Sequence, residues 1–168
     1  MTSDLIYRNA TLADLPQIVT IYNSTIASRM VTADTEEVTV ESRIKWFEEH
    51  SPARRPLWIF EDRESKIVGW ASFQSFYGRP AYNATVEVSI YLHPAQRGKG
   101  FGKQILQHCI DNAPRFDVKT LLGFIFEHNT PSLQLFRSFG FNDWGTFPDV
   151  AILDGVERTL KILGKRVG

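Results

Sequence analysis

Cysteine is nearly absent from this chain of 168 residues. Cys109 stands alone, which excludes an internal disulfide framework and suits a reducing compartment. An excess of either charge is also missing: Lys plus Arg and Asp plus Glu are 19 each, so there is no general basic field to attract nucleic acid. No segment approaches the ~18 uncharged apolar residues that a membrane span needs, and the first residues, with Asp4 and Arg8, lack the apolar core of a secretory leader. A cytoplasmic protein is expected, with no nucleic acid and no membrane as partner. His50, His93, His108 and His128 show no ligand spacing with one another or with Cys109, so no metal is expected. Repeats and low-complexity tracts are absent, and the length fits one domain over 1–168 that buries roughly 70 % of its unfolded surface.

What is present centres on 84–113. Ala84, Val86, Val88, Ile90 and Leu92 alternate with Thr85, Glu87, Ser89 and Tyr91, the two-residue period of a strand with one apolar face. Past Pro94 come Gln96-Arg97-Gly98-Lys99-Gly100-Phe101-Gly102, and then Phe101, Ile105, Cys109 and Ala113 fall four apart on a helix that ends at Pro114. The first N–H groups of a helix lack internal partners, and with the helix dipole they make an anion site. Gly98, Gly100 and Gly102 remove side chains that would hold a pyrophosphate away, while Arg97, Lys99 and Lys103 add positive charge. The spacing is neither that of a Walker loop nor that of a dinucleotide fingerprint. It is Arg-x-x-Gly-x-Gly, which by itself reads equally well as a glycine-rich turn.

The rest of the chain supplies alternating elements. Leu5 to Arg8 reads as a strand, and Thr11-x-x-Asp14 as a capping box for a helix to about Ala27 with Leu12, Leu15, Ile18, Val19, Tyr22 and Ile26 buried. Residues 28–38 are polar and aperiodic, either a lid or an ordinary exposed loop. A second helix, lined by Val40, Ile44 and Phe47, stops before Pro52. Strands follow at 57–61 and 67–76, joined by the charged turn 62–66, and another at 120–126. Thr130 caps and Pro131 opens a helix that ends at Gly140. Two last strands, 141–153 and 156–163, turn at Asp154-Gly155, with Pro148 marking a bend or an edge. The four tryptophans, Trp46, Trp58, Trp70 and Trp144, read as core or interface anchors, and Cys109 on the apolar stripe as a buried structural thiol.

Glu87 is the leading titratable candidate. On the polar face of the strand, just before the glycine loop, a partly desolvated carboxylate has its pKa raised and can serve as a general base. A solvent-facing strand glutamate explains the same spacing. His128, at a strand end, is a possible proton relay or a structural histidine.

The Arg97-Gly98-Lys99-Gly100-Phe101-Gly102 loop resembles motif A of the GCN5-related N-acetyltransferases, which cradles the pyrophosphate of acetyl-CoA; Asn129-Thr130-Pro131-Ser132 and Phe139-Gly140-Phe141 follow in that family's order. Arg79-Pro80-Ala81-Tyr82-x-x-Thr85-Val86-Glu87-x-Ser89-x-Tyr91 is similar to a segment of the phosphinothricin and methionine sulfone or sulfoximine N-acetyltransferases, a narrower branch. The resemblance implies an α/β (α+β) fold: a mixed sheet of about seven strands with about four helices, in the order β-α-α-β-β-β-α-β-α-β-β. It implies acetyl-CoA as cosubstrate, bound by Arg97, Gly98, Lys99, Gly100, Phe101, Gly102 and Lys103, by the backbone of Ile90, Tyr91 and Leu92, and by Asn129 and Ser132.

It also implies a small amine or amino-acid acceptor, with Glu87 as base in a direct transfer, a backbone N–H of Val88 or a neighbour for the oxyanion, and a pocket drawn from Tyr77, Arg79, Tyr82, Glu87 and Ser89. Arg79 would pair with a substrate carboxylate or an oxyanion-like oxygen. Two positions depart from the pattern. Phe136 stands where relatives place a tyrosine or a histidine and cannot donate a proton to the leaving thiolate; residues 29–34 differ from the branch's Thr-Phe-Glu type of sequence. A peptide or ribosomal-protein acetyltransferase and a non-catalytic CoA-binding module remain as alternatives. Many relatives are homodimers, and a closing hairpin with Trp144 and Phe147 would serve as such a surface.

Overall fold

The computed structural model describes residues 4–168. The leader and single-domain expectations extend to residues 1–3, outside the described residues. Its strands are β1 (Ile6–Asn9), β2 (Leu57–Glu61), β3 (Ile67–Ser75), β4 (Thr85–Leu92), β5 (Thr120–Phe126), β6 (Asn142–Leu153) and β7 (Val156–Arg166). Its helices are α1 (Leu15–Asn23), α2 (Val40–Glu48), α3 (Phe101–Asn112) and α4 (Thr130–Ser138). The expected element order holds. One sheet runs β1-β2-β3-β4-β5-β7-β6, antiparallel throughout except where β4 meets β5.

Helices cover both faces of the sheet, so its middle strands read as continuous apolar runs. In β2, Trp58 and Phe60 join a core shared with Ile105, Leu106 and Cys109 of α3 and Leu133 and Phe136 of α4. Leu57 and Ile59, pointing the other way, join Leu15, Ile18, Val19 and Ile21 of α1 and Trp70 of β3. Cys109 is fully buried and its thiol is pushed up by that burial, as expected for a structural cysteine. The β6–β7 turn at Asp154-Gly155 has φ 53° and 79°, the two left-handed residues of a tight hairpin. Around Pro148 the β6 register shifts between Phe147 and Ala151, the expected bend.

Three expectations need correction. The first helix is divided: Leu12–Asp14 is one 3₁₀ turn, α1 stops at Asn23, and Ile26–Ser28 is another turn. Leu12 is 56 % exposed because the 3₁₀ turn rotates it off the α1 face. The turn itself is held by Asp14, which accepts from the Thr11 N–H at 2.7 Å and from both Arg8 Nη atoms at 2.8 Å. That hydrogen-bonded guanidinium keeps the Asp14 carboxyl below its ordinary range. On α2 the inner face is Val40, Arg43, Trp46, Phe47 and His50, while Ile44 is 38 % exposed.

His108 lies among Tyr7, Trp58 and Phe60, with ring centroids 4.1, 4.6 and 5.2 Å away. Its Nε2 is buried without a partner among the described residues, and burial lowers its pKa to about 4. His50 shifts the same way for the same reason. A histidine depressed in the fold binds protons more readily when unfolded, so stability is full above the unfolded value near 6.5 and falls as pH drops from there toward 4. The expected outcome is that His108→Phe flattens the decline of Tm between those pH values; an unchanged pH slope in thermal denaturation would show that His108 carries none of it.

Candidate active site

The site begins where two strands part. β4 and β5 pair at Thr85↔Thr120, Val86↔Leu121 and Glu87↔Leu122, and no further. Beyond that rung β4 keeps its partner β3 as far as Leu92↔Gly69, and β5 keeps β7 as far as Phe126↔Leu160. The His93 N–H bonds Val68 O at 2.8 Å, whereas Ala84 O accepts from Thr120 on β5. Odd positions of β4 therefore turn their backbone groups to β3 and even ones to β5. In a parallel ladder the Glu87↔Leu122 rung is closed by the flanking Val86 and Val88, so the next donors and acceptors on that side, from Ile90 and Leu92, face an open gap. Tyr91, named with them from the family resemblance, has its backbone turned to β3.

The glycine loop opens at the mouth of this gap. Gly98 and Gly100 have φ +75° and +82°, a left-handed backbone that glycine adopts without strain. A Cβ on Gly98 would meet nothing within 4 Å, so the space over the loop is open. Gly100 is the N-cap of α3, and with no side chain capping it the N–H groups of Phe101, Gly102 and Lys103 lack helical partners. These donors, with Arg97, Lys99 and Lys103, fit a pyrophosphate. Arg97 reaches back from the loop, its Nη2 3.3 Å from Ser24 Oγ and 3.4 Å from Leu92 O. Lys99 Nζ lies 3.2 Å from Gln96 Oε1.

On the other face of β4, Glu87, Ser89 and Tyr91 form the floor of a cleft of about 200 Å³. Ser72 and Gln74 of β3 stand directly across from Ser89 and Glu87, and α1 and α2 contribute Tyr22, Arg43 and Trp46. No hydrogen bond or ion pair reaches the Glu87 carboxylate from the described residues, and burial raises its pKa. Ser72 Oγ, in the same wall, is buried without a partner among the described residues. Tyr91 stacks on Trp70 at 4.6 Å and 18°, and burial pushes its phenol up.

The structure separates the other expected pocket residues from this cleft. Tyr77, Arg79 and Tyr82 lie in the β3–β4 connection; Tyr77 is 75 % and Tyr82 41 % exposed, Arg79 is exposed, and none lines the cleft. The connection is held down by Arg55, a buried guanidinium bonded to Ser75 Oγ at 2.8 Å and Asn83 O at 2.9 Å. Its aromatic side chains pack on Phe76 and one another. Asn129 and Ser132 sit at the start of α4. The Asn129 side chain is committed there, accepting from the Ser132 N–H at 3.3 Å and donating to Met30 O at 3.2 Å.

Residues 29–38 are tied down at several points. His128 Nε2 is 2.8 Å from Arg29 O, and Asn23 exchanges two bonds with Val38, at 3.0 and 2.9 Å. His128 thus acts as a structural clasp. Sequence reasoning missed Tyr22, Arg43, Trp46, Ser72 and Gln74. For Arg43 and Trp46 the available signal was the 3-3-4 spacing of Val40, Arg43, Trp46 and His50; Ser72 and Gln74 carried none beyond alternation.

The model of the acetyltransferase (GNAT) family matches residues 18–141. A Bacillus subtilis (strain 168) protein, YwnH, named as a candidate phosphinothricin acetyltransferase, is 54 % identical over 154 residues, covering 92 % of this chain and 94 % of its own. The L-methionine sulfoximine/L-methionine sulfone acetyltransferase of Pseudomonas aeruginosa is 32 % identical, covering 85 % and 83 %. The crystal structure of a GNAT superfamily phosphinothricin acetyltransferase from Sinorhizobium meliloti, in complex with acetyl-CoA, superposes with a TM-score of 0.90 at 26 % identity, covering 100 % of this chain and 90 % of that one. Among the described residues no three His, Cys, Asp or Glu side chains converge as a metal site, and no helix is long and apolar enough to cross a membrane.

Because Glu87 is raised by burial, its ionised form is disfavoured in the fold, and the resulting loss of stability is present at pH values above its folded pKa. Glu87→Gln should therefore raise Tm at pH 7 to 8, with the difference vanishing below the ordinary glutamate range near 4, where both states are protonated. A Tm at pH 7 equal to or below that of the parent in scanning calorimetry would refute the desolvated carboxylate.

Proposed function

Since the chain belongs to the acetyltransferase (GNAT) family and uses acetyl-CoA as its acetyl donor, we propose that it acetylates the α-amine of a small amino acid or amino-acid analogue of the phosphinothricin, methionine sulfone or methionine sulfoximine kind. The observation that carries this reading is that β4 gathers three features: the open strand edge at Ile90 and Leu92, the glycine loop that follows the strand, and the Glu87 carboxylate on the cleft floor, without a partner among the described residues. The relatives' named substrates support the acceptor class. A cleft of about 200 Å³ also suits a small molecule better than an extended peptide.

In this reading the loop N–H groups and Lys103 hold the pyrophosphate, and the gap between β4 and β5 receives the pantetheine arm as an added strand. The acceptor enters the cleft as an ammonium. Glu87, raised by burial, takes one of its protons, and the freed nitrogen lone pair attacks the thioester carbonyl in a direct transfer. The Val88 N–H is the last β4 donor that β5 uses, so the free N–H of Ile90 falls to the developing oxyanion. The C–S bond breaks and CoA departs as its thiolate, because Phe136 carries no proton to give; a thiol of pKa ~8.5 leaves readily without one, and the second proton on the adduct nitrogen passes to solvent as the amide forms.

In this reading the acetyltransferase fold takes up the described residues 4–168, and the lone buried Cys109 fits a reducing, cytoplasmic setting. The β6–β7 hairpin exposes Trp144, Phe147, Val150, Ile152 and Val156 by 46 to 66 % each, an apolar surface that suits a homodimer. Light scattering on the eluting protein should give twice the chain mass; a clean monomer at micromolar concentration would remove the dimer.

The test of function is CoA thiol release from acetyl-CoA with the common amino acids, phosphinothricin, methionine sulfone, methionine sulfoximine and short peptides. Turnover confined to amino acids and their analogues is expected, with Glu87→Gln lowering kcat by roughly 10²- to 10⁴-fold at unchanged acetyl-CoA affinity. Turnover on peptides alone would transfer the function to protein acetylation, and full activity of Glu87→Gln would remove the base.

A further inference from the structure

Two opposite charges line the cleft without pairing. Glu87 rises from the sheet floor with no hydrogen bond or ion pair from the described residues. Arg43 comes down from α2, and its ion pair is with Asp34 instead, through Nη2 at 3.1 Å. Asp34 also accepts from the Tyr22 hydroxyl, which lies 2.5 Å from Thr32 Oγ. The Tyr22 ring sits under the guanidinium, 4.9 Å from centroid to Cζ.

Arg43 is thus held on one edge and stacked on one face, while its other N–H donors take part in no hydrogen bond among the described residues. Such a guanidinium is pre-set to receive a carboxylate with two parallel bonds, because the fork is planar and its orientation is already fixed. A carboxylate at Glu87 and a guanidinium across the cleft together match a zwitterion: ammonium toward the first, carboxylate toward the second. Trp46, Trp70 and Tyr91 line the walls for the remaining apolar part.

Resting on the amino-acid reading above, we propose that Arg43 binds the acceptor's α-carboxylate, so that the cleft selects free amino acids over amines, amino-acid amides and peptide N-termini. Those competitors bring the amine but leave the guanidinium without its anion, and a site built to bond a group discriminates against ligands that lack it. Arg79, given the corresponding role from the sequence, is exposed in the β3–β4 connection and is not among the residues that line the cleft.

The test compares kcat/KM for methionine sulfone and for its carboxamide. The parent should prefer the acid by roughly 10- to 100-fold, the range of one charge-assisted bidentate contact. In Arg43→Gln that preference should collapse through a rise in KM for the acid, with KM for acetyl-CoA kept; Arg43→Lys, which retains charge but not the fork, should recover part of it. Calorimetric binding of CoA to both variants reports their folding independently of the acceptor. An Arg43→Gln enzyme that keeps the parent's preference overturns the proposal, as does a collapse seen in Arg79→Gln instead. A parent that acetylates peptides and no free amino acid overturns the amino-acid reading itself, and the anchor with it.

Discussion

Everything in this site depends on β4 and β5 ceasing to pair after Glu87↔Leu122. A parallel pair inside an otherwise antiparallel sheet would ordinarily continue, because each unmet backbone N–H or C=O that is buried costs roughly 1–3 kcal/mol. Here each strand keeps its other neighbour, so neither is lost from the sheet when they diverge. Helix α4 lies against the diverging part of β5. Phe136 rests on Gly123 so closely that a Cβ there would stand 2.8 Å from the ring, and the same ring meets Phe141 at 4.9 Å. The missing side chain at Gly123 is what lets α4 approach. The position that cannot act as an acid thus has a packing role, since a buried phenylalanine needs no polar partner beside that glycine.

The parting also explains why the glycine loop is where it is. β4 ends at Leu92, at the open end of the gap, and the chain must turn there to cross to β5 through α3. A helix that starts at that turn aims its unpaired N–H groups along the gap. Strand alternation then gives the two faces of β4 different surroundings. Even residues Val86, Val88, Ile90 and Leu92 pack against the α3 and α4 side, and odd residues Glu87, Ser89 and Tyr91 line the cleft under α1 and α2.

The strand, loop and helix of 84–113 were legible because they are local. Alternation, a glycine loop and an amphipathic helix follow one another within thirty residues, and each signal is a matter of backbone geometry. The cleft on the other face of β4 was not, because it is assembled from residues far apart in sequence. Arg43 and Trp46 are on a helix with no wholly buried residue, where apolar periodicity singled out Val40, Ile44 and Phe47 and gave a charged residue no reason to face inward. The β3–β4 connection shows the converse case. Arg79 and its aromatic neighbours stand next to Glu87 in sequence, but Arg55, from before β2, pins that segment at the surface. The aperiodic residues 28–38, which read as either a lid or an ordinary exposed loop, are joined to α1 and to the start of α4 by bonds that no sequence pattern announces.

A base in a cleft that also contains a guanidinium faces a specific hazard: if the two paired, the carboxylate's pKa would fall instead of rising and its affinity for the acceptor's proton would drop with it. Asp34 prevents this pairing by taking Arg43 first, and Tyr22 and Thr32 hold Asp34 in place. The ion pair is partly exposed, 29 % on one side and 43 % on the other, so its net contribution to stability is small. Its consequence is positional. It keeps positive charge within the cleft while Glu87 has no ion pair among the described residues; in the proposed reaction the carboxylate would acquire its cationic partner when the ammonium enters.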